Sequence, residues 1–161
     1  MDAEHKTLLD YLDAQRRHIL GILDGLGDDD LRRPVLPSGW TCLGLVHHLA
    51  HDVERLWFRS VVAGERASGS SPDNAWQVGP DVPADAVFGL YRQEIERANA
   101  IIAATALDAP PAWWPDFVGD WRLGNVREIV LHVITETACH AGHLDAAREL
   151  IDGRQWTVLT E

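Results

Sequence analysis

The sequence predicts an all-α four-helix bundle. Four long stretches repeat their apolar residues at three- and four-residue intervals, the spacing of a helix that buries one face. No stretch alternates apolar and polar residues as a half-buried strand does. Each long stretch is bounded by Gly, Pro or a capping residue. All 161 residues fit one domain, long enough to bury a substantial core.

Residues 2–26 read as the first helix. Leu8, Leu9, Leu12, Ile19, Leu20, Ile22 and Leu23 form its apolar stripe, and Gly25 and Gly27 supply the stop. His18 lies near this run and reads as an ordinary packing or surface histidine. Residues 28–39 are a connection in which Asp28 or Asp29 caps a short helical turn through Leu31. Residues 40–64 read as the second helix, with Thr41 as N-cap and a broad apolar face of Cys42, Leu45, Val46, Leu49, Val53, Leu56 and Trp57. Three histidines lie on it. At 3.6 residues per turn His51 points nearly away from the apolar face, His47 is also far round, and His48 is at the edge beside Leu45 and Asp52.

Residues 66–83 form a loop rich in Gly, Ser, Asp and Pro, longer than most structureless connections. Its Trp76 either tucks onto the bundle or lines a pocket; packing is favoured. Residues 83–107 are the third helix, with Val87, Leu90, Tyr91, Ile95, Ala98, Ile101 and Ile102 inward and Glu94, Glu96 and Arg97 as its solvated side. A second long loop, residues 108–122, carries Trp113, Trp114, Phe117 and Trp121 and either covers a core edge or walls a ligand pocket; the covering role is favoured. Residues 123–152 are the fourth helix, ended by Gly153. Trp156 in the tail is expected to dock.

The net charge of −11 argues against nucleic acid or an anionic membrane surface as partner. No apolar run is long enough to span a bilayer, the N-terminus lacks the apolar segment of a signal peptide, and a cytoplasmic location follows by default. Cys42 and Cys139 make no disulfide framework and are expected to pack as small buried groups. No internal repeat, phosphate-cradling glycine loop or nucleophile elbow is present.

The chemistry concentrates on the fourth helix. Its stripe of Val126, Ile129, Val133, Leu144, Ala147 and Ile151 passes over Glu136 and His140, which are four residues apart and so one turn above each other. A carboxylate and an imidazole in a buried stripe need a partner, and a divalent metal suits both. His132 and His140 are about 12 Å apart along the axis, so His132, Glu136, His140 and His143 cannot all reach one ion. A third ligand must come from another helix, and His48 is the best-placed candidate. Two histidines and a carboxylate leave coordination positions open, the layout of a catalytic zinc or non-haem iron site. A buried Glu–His hydrogen-bonded pair without metal is the other reading.

The stretch Ser38-Gly39-Trp40-Thr41-Cys42-Leu43-Gly44-Leu45-Val46-His47-His48-Leu49-Ala50, with Glu54 and Trp57-Phe58, resembles the second helix of DinB-like proteins. Glu136-Thr137-Ala138-Cys139-His140-Ala141-Gly142-His143 is similar to their metal-binding segment, with Glu at the first position and His143 where Gln is common. The closest branch resembled is the mycothiol-dependent transferases and the N-terminal domain of mycothiol-dependent maleylpyruvate isomerase. The resemblance implies an up-down-down-up bundle that often dimerises, His48, Glu136 and His140 as ligands of zinc or sometimes nickel, and use of a low-molecular-weight thiol such as mycothiol. His143 is then a fourth ligand, a catalytic proton relay or a polar supporting group beside the metal, the last favoured. Arg55, Arg59 and Arg148 are expected on the solvated surface rather than on substrate. The function implied is a metal-dependent thiol S-transferase acting on an electrophilic small molecule. A metal-dependent hydrolase and a non-catalytic stress-response protein are the alternatives.

Overall fold

The computed structural model describes residues 2–65 and 74–156, and among these there is no strand. Helix α1 spans Ala3–Leu23, and Asp2 caps it by accepting from the His5 backbone amide. A short helix α2 spans Asp28–Arg32; Gly27 rather than Asp28 or Asp29 stands at its N-cap, and no side chain caps it. The expected second helix begins as α3, Cys42–His48, with Thr41 accepting from the Gly44 amide. It then continues without a break as a π-helix, Leu49–Val62. Helix α4 spans Ala84–Ala104 and helix α5 spans Val126–Asp152, capped by Asn125 at one end and by left-handed Gly153 at the other.

The contacts between helix ends fix the topology. Arg127 near the start of α5 reaches Glu4 near the start of α1, and Arg148 near its end donates to the Ile22 and Asp24 carbonyls. So α1 and α5 run parallel. His5 meets the Thr105 carbonyl, so α4 ends where α1 begins and runs the other way. Arg59 in the π-helix reaches Glu94 on α4 and Glu65 just beyond the π-helix reaches Arg97, so the second helix runs parallel to α4. The order is therefore up-down-down-up, as expected. A parallel pair cannot be joined by a tight turn, and this is the physical reason for the long crossover between Val62 and Ala84.

The core is a continuous apolar cluster running through α1, α3, the π-helix, α4 and α5. A buried ion pair crosses it. Arg16 of α1, 2% exposed, donates through Nε and Nη2 to both oxygens of Glu54, 1% exposed, at 2.7 and 2.6 Å. Its Nη1 reaches Asp13 and the Asn99 side-chain carbonyl on α4. Glu94, expected in solvent, is 2% exposed and receives Arg55 and Arg59 from the π-helix. Those two arginines and Arg148, which is buried, therefore work inside the fold rather than on the solvated surface. Cys42 is buried as expected, whereas Cys139 is exposed. Trp156 docks as expected, stacked on His18 at 5.3 Å, and His18 pairs with Asp145. No helix among the described residues is long and apolar enough to cross a membrane.

Candidate metal centre

His48 stands at the last position of α3, where α-helical winding gives way to π. From across the bundle α5 presents Glu136 and His140, one turn apart. One ligand atom from each of these three side chains lies within 4.8 Å of the others, close enough to share an ion. The three residues singled out in the sequence are thus together. The buried centre of the α5 stripe is Thr137 and Ala141, and Glu136 and His140 sit at its half-buried edge.

Two imidazole nitrogens in this group keep no hydrogen-bond partner among the described residues. His48 Nδ1 lies 2.9 Å from Asp52 Oδ2. An ionised carboxylate only accepts, so Nδ1 carries the proton and Nε2 keeps its lone pair. His48 Nε2 is buried and has no hydrogen-bond partner among the described residues, and the same holds for His140 Nδ1. Two orphaned imidazole nitrogens beside a carboxylate fit a divalent cation, since buried polar atoms otherwise find partners. A carboxylate behind a histidine is also the usual outer support of a metal ligand. Burial, with the neighbouring His48 imidazole adding to it, pushes His140 down to about 4, so this ring is neutral at pH 7.

Glu136 has its own neighbour. His132 Nε2, one turn earlier on α5, is 3.4 Å from Glu136 Oε2. His143 is exposed, with its ring 5.6 Å from that of His140 and 6.2 Å from Trp40. It lies at the rim of the group and outside the set that converges.

Trp76 comes from the crossover and stacks on the His48 ring at 4.2 Å, with its edge-to-face partner His140 at 5.7 Å. Three contacts hold it there. The Trp76 amide donates to Asn74, His47 Nδ1 donates to the Ala75 carbonyl, and Gly44 lets the backbone close in. A Cβ on Gly44 would lie 2.2 Å from the Trp76 carbonyl oxygen. Beside Glu136, Trp57 and Trp121 pack against His132, and Trp114 packs against both of those indoles. The aromatic loop therefore does cover the bundle, and the cover adjoins the site.

Sequence reasoning missed Asp52, Trp76 and His132 as supporting groups. Asp52 and His132 had a signal, since each is four residues from a candidate ligand. Trp76 had none, because nothing local says where a crossover lands. His51, expected on the polar flank, is only 9% exposed and edges the His47 ring at 4.5 Å. Burial, the His47 ring and the Arg55 guanidinium push it down to about 4.

A family model described as mycothiol-S-transferase matches residues 7–153. No curated protein and no solved structure matches the chain.

Proposed function

This chain belongs to the mycothiol-S-transferase family, and from that premise we propose that it is a metal-dependent thiol S-transferase. It joins a low-molecular-weight thiol, of the mycothiol kind, to an electrophilic small molecule. The supporting observation is the convergence of His48, Glu136 and His140 with two imidazole nitrogens left unpartnered. His48, Glu136 and His140 would hold the cation, zinc in our reading and nickel as the other candidate. When bound, it supplies a Lewis acid that favours thiolate over thiol at neutral pH.

The chain's own residues do the rest. Asp52 fixes the His48 tautomer so that Nε2 faces the site. His132 stands against one Glu136 oxygen and steadies that carboxylate. Trp76 closes the His48 side against water. His143, exposed at the rim, would accept the thiol proton and pass it to solvent, with His51 as the other candidate. The thiol S–H then loses its proton, and the sulfur pair forms the new bond to the electrophilic carbon. The electron pair displaced from that carbon leaves with its own substituent or moves into a conjugated system.

The test is conjugation of a thiol-reactive electrophile by purified protein. Activity should vanish on chelation, return with zinc or nickel, and be lost in His48→Ala and His140→Ala. Metal-loaded protein that turns over no bacterial thiol would overturn the reading. Hydrolysis of esters or amides without added thiol would replace it with the hydrolase alternative.

A further inference from the structure

We propose that Trp57, Trp114 and Trp121 form the subsite for the electrophile, and that it takes a flat, uncharged, electron-poor conjugated ring of the quinone class. This rests on the transferase reading and adds the substrate class to it. The three indoles are mutually perpendicular. Their centroids are 6.0, 6.0 and 6.2 Å apart, with interplanar angles of 82°, 79° and 84°. Such rings meet edge to face rather than in a stack. Trp57 is buried, while Trp121 is 48% exposed and is the ring a ligand can reach from solvent.

The cluster abuts the candidate metal group. His132 is 4.6 Å from Trp57 and 5.6 Å from Trp121 between ring centroids, and its Nε2 lies 3.4 Å from Glu136. A molecule held on the indoles is thus one side chain away from Glu136 of the candidate metal group. Indole faces are electron-rich and accept either a cation or an electron-poor ring. The structure favours the second. The Arg122 guanidinium already lies over Trp114, 5.2 Å from the ring centroid, and is itself held by the Gly119 and Trp121 carbonyls. A second cation would meet it with repulsion, whereas a carbonyl or nitro oxygen would meet it with attraction. The Trp76 flank is different in kind, with Thr41, Asn74 and Gln77 around a cavity of about 700 Å³, and suits a hydroxyl-rich partner.

The step balances without a further reagent. Sulfur bonds to a ring carbon of the quinone, the C=C pair shifts to the carbonyl oxygen, and that oxygen takes the proton the thiol has lost.

The test uses nitrobenzene, flat and inert to thiols, and nitrocyclohexane, of similar size but not flat. Each is titrated into the full chain without thiol and followed by ligand-observed NMR. Nitrobenzene should bind about tenfold more tightly than nitrocyclohexane, Trp121→Ala should remove about that tenfold, and Trp121→Phe should keep most of it. Trp121 is half exposed, so its replacement spares the core, and far-UV circular dichroism checks this. Arg122→Gln is the second variant and should admit the flat cation N-methylpyridinium, which the native chain should refuse. Absent nitrobenzene binding, equal binding of the two probes, or affinity untouched by Trp121→Ala would overturn the subsite. The assay needs neither metal nor thiol. Failed conjugation with intact nitrobenzene binding would therefore sink the transferase reading and leave the site standing. Quinone conjugation whose KM ignores Trp121→Ala would do the reverse.

Discussion

Asp52 touches no substrate in our reading, yet it sets the lone pair of His48. Asp52→Ala should leave the fold intact and weaken zinc about 10- to 100-fold, measured by competition with a chelating dye. Unchanged affinity would mean that the tautomer is set otherwise. His51 gives a second prediction. Its folded state resists protonation down to about 4, while the unfolded chain protonates near 6.5. Between those values the unfolded state binds more protons, so stability is full above about 6.5 and declines as pH falls toward 4. Burial sets the sign, His47 and Arg55 add to it, and Asp52 and Glu94 only partly offset them. Thermal melts across that window should show a shallower decline in His51→Gln than in the native chain; equal slopes would remove His51 from the account. At this scale His48, Glu136 and His140 were legible, because i,i+4 spacing on an apolar stripe combines with two motifs far apart in the chain. Glu94 was not legible as buried, since its partners Arg55 and Arg59 come from another helix.

The second helix is where periodicity misled. From Leu49 to Val62 eight of the ten buried residues come in pairs every four positions: Leu49 and Ala50, Val53 and Glu54, Trp57 and Phe58, Val61 and Val62; His51 and Ser60 are the other two. At α-helical winding a four-residue step drifts by about 40°, so this set would spiral off one face. π-Winding, with i→i+5 bonds such as the Ala63 amide to the Phe58 carbonyl, turns less per residue and so reduces that drift. It also brings His51 into the fold where an α-helical wheel put it in solvent. The four-residue repeat was visible in the sequence; the choice of winding was not, because it depends on what the helix packs against. Gly44, just before this change of winding, gives a prediction at the same scale. Gly44→Ala should push the crossover off α3 and lift Trp76 from His48. Near-UV circular dichroism and zinc affinity should both change while far-UV helicity stays constant. A variant with native zinc affinity would show that Trp76 does not support the centre.

Across the whole molecule, Arg16 joins three of the four long helices through Glu54 and Asn99. Removing one partner strands a buried charge, so Arg16→Met should cost about 3–5 kcal/mol in denaturant melts. The pair of changes Arg16→Met and Glu54→Leu should recover much of that loss. A double variant as unstable as the single one would mean that the ion pair itself stabilises the fold. Bundle class and helix number were readable from the apolar stripes. The up-down-down-up order came only with the family resemblance, since handedness of connection leaves no mark on a single helix. That order has a further consequence. Running two neighbouring helices in the same direction obliges the chain to travel back along the bundle between them, and the return journey is what carries an indole over His48. Architecture and chemistry are inherited together here. Rewiring the bundle to a simple alternating meander would preserve every helix and leave the centre roofless.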